Sequence, residues 1–223
     1  LAEVGRVPIN CEYSNPRVTF DGINFWVSIS IEVEDSNGIP TNEGIGIDLG
    51  VKDLAITSDG NIYGNINKTK EVKRLEKKKR RLQRKLSKKC IANKYEKTKN
   101  VVKLEKELLK LNHRLTNIRH NYIHQVTTEI VSRKPMFISL EDLNVSGMMK
   151  NRHLAKAVQA QSFYSFKEIL SYKAKRNNIQ IIEVPTFYPS SKTCSVCGTV
   201  KSDLKLSDRV FICPECGNKM DVV

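Results

Sequence analysis

Apolar and polar residues alternate strictly over residues 24–34: Phe25, Val27, Ile29, Ile31 and Val33 share one face, and Ser28, Ser30, Glu32 and Glu34 the other. That period of two predicts a half-buried antiparallel strand. With Arg17 to Phe20 before it and Asp21-Gly22 as the turn, it forms a hairpin in a short β-rich module. Residues 35–43, with Ser36, Asn37, Gly38 and Pro40, read as a linker. Three short strand signals follow, Ile45 to Leu49, Leu54 to Thr57 and Asn61 to Tyr63, with Gly50 and Ser58-Asp59-Gly60 between them, and these predict a meander. From Lys68 to about Arg133 the period turns helical, through Leu75, Leu82 and Leu86 and then Leu104, Leu108, Leu111, Leu115, Ile118, Tyr122 and Val126. The phase slips near Cys90 to Asn93, where a simple break and a helical hairpin are both open. Pro135 ends the helical run, Met136 to Leu140 reads as a strand with Glu141-Asp142 at its C-terminal end, His153 to Arg176 as an amphipathic helix, and Gln180 to Val184 as a buried strand.

Charge changes the picture of the long helical run. The 223 residues carry a net +14, but residues 68–120 alone hold 21 Lys and Arg against five Glu, a local +16, so the rest of the chain is nearly neutral. Such a segment is the footprint of a polyanion partner, with a solvated charged helix as the alternative. The candidate nucleic-acid contacts are Lys77, Lys78, Lys79, Arg80, Arg81, Arg84, Lys85, Lys88 and Lys89. With 39% hydrophobic residues and no apolar run near the ~20 needed for a span, the composition predicts neither membrane insertion nor secretion.

Six cysteines would suggest disulfides, yet four fall into Cys194-Ser-Val-Cys197 and Cys213-Pro-Glu-Cys216, separated by 15 residues. That is the spacing of a four-cysteine zinc ribbon, with Gly198 and Gly217 allowing each knuckle to close. Four thiolates leave no open position for a substrate, so the Zn²⁺ is expected to be structural, contributing about 10–16 kcal/mol of apparent binding energy to folding of the module. This cysteine usage predicts an intracellular protein, and Cys11 and Cys90 read as ordinary free thiols.

The order β-β-β-α-β-α-β predicts an α/β, RNase H-like domain. Asp48 closes the first meander strand between Gly46 and Gly50, facing away from Ile47 and Leu49, and Glu141 ends the strand after the long helical run. In that topology the two strands are neighbours, and the two carboxylates would meet at one end of the sheet. Paired carboxylates there suit two Mg²⁺ ions about 3.5–4 Å apart, for hydrolysis of a phosphodiester. Asp53 and Asp142 read as structural.

Three segments make the resemblance specific: Gly-Ile-Asp-Leu-Gly-Val-Lys-Asp-Leu-Ala (46–55), Ser-Leu-Glu-Asp-Leu-Asn-Val-Ser-Gly-Met (139–148) and Tyr-Pro-Ser-Ser-Lys-Thr-Cys-Ser-Val-Cys-Gly (188–198). With Cys-Pro-Glu-Cys-Gly (213–217), they resemble the TnpB (OrfB) family of transposon-encoded proteins, relatives of type V CRISPR effector nucleases. The resemblance covers residues 24–223 and implies an RNA-guided DNA endonuclease with a RuvC-like nuclease domain, in which Asp48 and Glu141 match the first two catalytic acids. It implies guide RNA and DNA as partners, a transposon-encoded transposase as a further one, a role tied to transposition and DNA recombination, and a nucleoid-associated place in a prokaryotic cytoplasm. The expected layout is a wedge-like module and linker at 1–43, the nuclease domain at 44–187 with the basic helices 68–133, and the inserted ribbon with the start of the final nuclease segment at 188–223. Asp221 matches the first Asp of the segment that carries the family's third acid, but Val223 stands at the position of that acid. The chain is thus expected to be a fragment truncated at both ends and inactive in cutting. The alternative is a catalytically dead nucleic-acid-binding protein or repressor of the same family.

Overall fold

The computed structural model of the chain describes residues 11–32, 39–186, 188–189, 192–201, 203 and 210–221. Val33 and Glu34 of the alternating segment, residues 35–38 of the expected linker, and Val222 and Val223 lie outside the described residues. The chain divides into two compact units, Leu1–Leu140 with Asn144–Ile182, and Glu141–Leu143 with Glu183–Val223.

In the first unit the alternating segment forms β2 (Phe25–Ser30), antiparallel to β1 (Ser14–Phe20). Asp21 builds the turn: its carboxylate accepts from the N–H of Ile23 (2.8 Å) and Asn24 (2.7 Å) and from Trp26 Nε1 (2.6 Å). The expected half-burial is corrected here, because Phe25 is 75% and Val27 57% exposed. The two strands form a sheet of their own, and alternation records a face able to be buried without supplying what buries it.

The meander is β3 (Ile45–Leu49), β4 (Asp53–Thr57) and β5 (Ile62–Gly64), and β6 (Phe137–Glu141) and β7 (Gln180–Val184) extend it to the order β5-β4-β3-β6-β7. β6 joins β3 in parallel, with Ile45 opposite Ile138, Gly46 opposite Ser139 and Ile47 opposite Leu140. Ile45, Ile47, Leu49, Ile138 and Leu140 are buried, as the alternation over 45–49 requires of a strand with one covered face.

The charged run is a helical hairpin, which decides between the two alternatives at the phase slip. A 3₁₀ turn at Ile66–Lys68 leads to α1 (Lys70–Ala92), capped by the Thr69 hydroxyl on the Val72 N–H, and α2 (Lys99–Ser132) is capped by Thr98 on the Val101 N–H. Val72, Leu75 and Leu82 of α1 cluster with Leu104, Leu111 and Leu115 of α2. Toward its C-terminus α2 packs on α5 (Phe163–Arg176), and Ile123, Val126, Phe166 and Leu170 are buried. Arg133, just past α2, pairs with Asp59 of the meander and donates to the Tyr63 hydroxyl and the Glu129 carboxylate, tying sheet to helix. Where one helix is expected over 153–176 there are two, α4 (Ala155–Gln161) and α5, parted by Ser162 in the left-handed region (φ 55°). A further short helix, α3 (Val145–Lys150), precedes them. Among the described residues, no helix is long and apolar enough to cross a membrane.

In the second unit β8 (Val210–Ile212) and β9 (Lys219–Asp221) pair antiparallel.

Candidate functional site

The sulfurs of Cys194, Cys197, Cys213 and Cys216 all lie within 4.8 Å of one another, with Cys194–Cys216 at 3.5 Å and Cys197–Cys213 at 3.4 Å. Two turns of the same construction place them. The Cys194 N–H donates to Thr199 O and the Gly198 N–H to Cys194 O; the Cys213 N–H donates to Asn218 O and the Gly217 N–H to Cys213 O. Gly198 (φ 74°) and Gly217 (φ 69°) sit in the left-handed region that closes each knuckle. Cys194 and Cys213 are buried with Phe211, while Cys197 and Cys216 face solvent.

The electrostatics of the cluster suit a cation. The Cys197 N–H, aimed at the Cys194 sulfur, holds that thiol down to about 6, with the Val196 N–H adding to it against the opposing effect of burial. At Cys216 the Asn218 N–H favours the thiolate, yet burial and the sulfurs of Cys194, Cys197 and Cys213 outweigh it and push the thiol up to about 12. A low thiol and a high one side by side mark a crowded cluster in which a dication would favour the thiolate at each sulfur. A tetrahedral site with bonds of about 2.3 Å sets its sulfurs about 3.8 Å apart, so these residues could hold a metal ion such as zinc.

Each candidate acid lies near the C-terminal end of its own strand. Asp48 is the fourth residue of β3 and Glu141 the last of β6, and each immediately follows a residue of the registered pair Ile47–Leu140. Asp48 is exposed, on the face opposite the buried Ile47 and Leu49. Partial desolvation nonetheless pushes its carboxyl above the ordinary carboxylate range. A desolvated carboxylate with a raised proton affinity is a hard oxygen donor that a divalent cation would compensate. Asp53 pairs across from Gly64 at the start of β4. Asp142 donates its N–H to Val184 O (2.9 Å) and accepts from Thr186 Oγ1 at its carbonyl (2.7 Å). The Asp221 backbone closes β9 opposite Val210.

On the helical hairpin, Lys77, Lys78, Arg80, Arg81, Arg84, Lys85 and Lys88 are exposed, and Lys79 and Lys89 are half-buried. Three of the segment's five glutamates are spent across the hairpin: Glu71 with Arg114 (2.9 Å), Glu76 with Arg119 (2.9 Å) and Glu107 with Lys78 (3.5 Å). The unpaired positive charge is therefore concentrated on the later turns of α1, where Arg80, Arg81, Arg84, Lys85 and Lys88 line an open groove.

Sequence reasoning passed over Gln161, a polar side chain only 2% exposed. Its available signal was its place three residues after Val158, on the buried face of the helical pattern.

Residues 28–152 match the OrfB_IS605 family, described as "Probable transposase", and residues 163–222 match the Cas12f1-like TNB domain. A protein of Escherichia coli (strain K12) named "Putative RNA-guided DNA endonuclease InsQ" is 32% identical over 206 residues, covering 85% of this chain and 48% of the relative. A "Putative RNA-guided DNA endonuclease" of Streptomyces pristinaespiralis is 28% identical over 212 residues, covering 95% and 50%. The chain thus spans about half the length of these curated relatives. Among solved structures, it resembles a chain of a Cas12f1–sgRNA–target DNA complex (TM-score 0.59, 20% identity, 86% of this chain and 39% of that chain). It also resembles one of a CRISPR–Cas12f ternary complex (TM-score 0.52, 21% identity, 89% and 40%). At these identities the likeness is one of fold, a mixed α/β fold like that of Cas12f.

Proposed function

The chain belongs to the OrfB_IS605 family of probable transposases, the TnpB family, and from that premise we propose that it is the nuclease-bearing part of a TnpB-type RNA-guided DNA endonuclease. The names of its relatives in Escherichia coli and Streptomyces pristinaespiralis support the activity, and the Cas12f neighbours, titled as complexes with guide RNA and target DNA, support the partners. The observation that carries the reading is the parallel register of β3 on β6, which runs up to Ile47 and Leu140, the residues just before Asp48 and Glu141.

On this reading the five-stranded sheet is an RNase H-like, RuvC-like domain, and Asp48 and Glu141 are the carboxylate ligands of catalytic Mg²⁺. Bound there, the metal would supply an activated water and charge stabilisation at the leaving oxygen of a phosphodiester. The side chains themselves provide oxygen donors at the ends of strands. The exposed cations of α1 hold phosphates along the nucleic acid and position it without reading sequence. The cysteine cluster, as a structural zinc site, fixes the ribbon.

Val223 stands where the resemblance places the third acid, so residues 1–223 bring two of the family's three carboxylates and are proposed to bind guided DNA while cutting it little. That same residue favours the second reading, a nucleic-acid-binding relative that does not cut. The deciding experiment is Mg²⁺-dependent cleavage of guide-matched DNA by a form carrying the third carboxylate, with Asp48→Ala and Glu141→Ala beside it. Loss of cutting in both variants supports the nuclease, whereas an inactive parent with tight DNA binding supports the binder.

A further inference from the structure

The turn after Asp48 is held by side chains from outside it. Gln161 Nε2 donates to the Gly50 carbonyl at 2.8 Å and reaches the Val51 carbonyl at 3.4 Å. Asn65 Nδ2 donates to the same Val51 carbonyl at 2.8 Å, and Lys68 Nζ to the Lys52 carbonyl at 2.6 Å. Three consecutive carbonyls are thus clasped by three side chains, while the Gly50 N–H closes the turn onto Leu54 O (3.3 Å). A Cβ at Gly50 would lie 3.2 Å from the Asp53 carbonyl, so the turn is tight at this point.

Surface turns ordinarily leave such carbonyls to water. Gln161 does the opposite: the left-handed Ser162 ends α4 so that Gln161 is buried against the turn. Its carbonyl oxygen lies 3.4 Å from Asn67 Nδ2, which also donates to the Ala160 carbonyl (3.0 Å). Asn67 Oδ1 in turn accepts from Arg119 Nε (2.8 Å), and Arg119 is paired with Glu76. Burying an amide is costly unless its partners are in place, and a leucine would serve helix packing as well. The Gln161 amide is matched on both sides, its Nε2 by the turn carbonyls and its Oε1 by Asn67.

We propose that Gln161, with Asn65 and Lys68 beside it, is a positioning residue for Asp48: it fixes the turn that begins two residues beyond the acid, so that the carboxylate is presented to a divalent cation without rearrangement. The inference rests on the reading of Asp48 as a metal ligand. Its physical basis is that Mg²⁺-type sites tolerate little departure from octahedral geometry and that outer partners of ligands strongly affect affinity.

The test uses the zinc-loaded 223-residue chain with Mn²⁺ as the probe, free Mn²⁺ being read by electron paramagnetic resonance and backbone mobility over residues 44–57 by hydrogen exchange. Gln161→Met, close in shape but unable to donate, is expected to weaken Mn²⁺ binding about tenfold or more and to speed exchange in the turn. Lys68→Met, on the surface, should act in the same direction more weakly, and Gln159→Met, exposed on α4, should change neither. Wild-type Mn²⁺ affinity in Gln161→Met overturns the proposal. If Gln161→Met fails to fold, Lys68→Met decides alone, and unchanged affinity there overturns it. Asp48→Ala separates the two levels: retained Mn²⁺ binding in that variant sinks the ligand reading itself, whereas lost binding there with none lost in Gln161→Met sinks only the positioning role.

Discussion

Arg119 Nη2 lies 2.9 Å from Glu76 Oε1, and with side chains only 18% and 19% exposed this pair joins α2 to α1 inside the hairpin rather than on its surface. Removing one partner leaves the other charge half-buried beside Asn67, which is costlier than losing an exposed pair. Glu76→Ala is expected to lower stability by about 1–3 kcal/mol in urea unfolding. Glu71→Ala and Glu107→Ala, whose partners are about half exposed, should each stay within about 0.5 kcal/mol of the parent. Equal losses in all three would show that burial does not distinguish the pairs.

With those acids paired to Arg114, Arg119 and Lys78, the remaining cations of α1 should bind polyanions through phosphate alone. If about six phosphates are neutralised, log K should fall against log salt with a slope of about −5 on duplex DNA. Charge reversal at Lys77, Arg80, Arg81 and Arg84 should flatten that slope and weaken binding to unrelated sequences alike, as measured by fluorescence anisotropy. A salt-independent affinity would return the segment to an ordinary solvated helix.

Elements whose burial pattern is local can be read from the chain, and those set by a neighbour cannot. β3 is apparent because Ile45, Ile47 and Leu49 must all face one way, and the ribbon because two knuckles repeat one spacing. The hairpin turn is harder: it passes through Lys94 (φ 48°) and Tyr95 (φ 64°), residue types that do not announce a left-handed backbone, and only Thr98 signals a new helix start. Ser162 hides the break between α4 and α5 in the same way. Gln161 could not be understood from sequence at all, since its partners Gly50 and Val51 are more than a hundred residues away along the chain.

The cysteine cluster predicts one Zn²⁺ per chain under reducing conditions, measured by elemental analysis. Cys213→Ser replaces a buried thiolate ligand with a hydroxyl and should release the metal and unfold the ribbon. The helical signal of α1 and α2 should persist, because their Leu75, Leu82, Leu104 and Leu111 cluster is separate from that around Phe211. A protein that retains zinc after this change does not use all four sulfurs.

Asp48 gives the last prediction, and its sign follows from linkage. Burial raises its carboxyl above the ordinary 3.8, so the folded chain holds that proton more tightly than the unfolded one. The resulting stabilisation is fully present below that ordinary value and is lost as pH rises through the folded-state value, which leaves the ionised carboxylate a net cost at neutral pH. Asn has the same shape and no charge to desolvate. Asp48→Asn should therefore melt higher than the parent at about pH 7, and the advantage should shrink as pH falls toward 3. Mg²⁺ or Mn²⁺ should raise the melting temperature of the parent at neutral pH by mass action and leave that of Asp48→Asn unchanged. Calorimetry over this pH range checks both parts. A variant that melts lower than the parent at neutral pH would mean that the Asp48 carboxylate is held by a compensating partner in the metal-free protein.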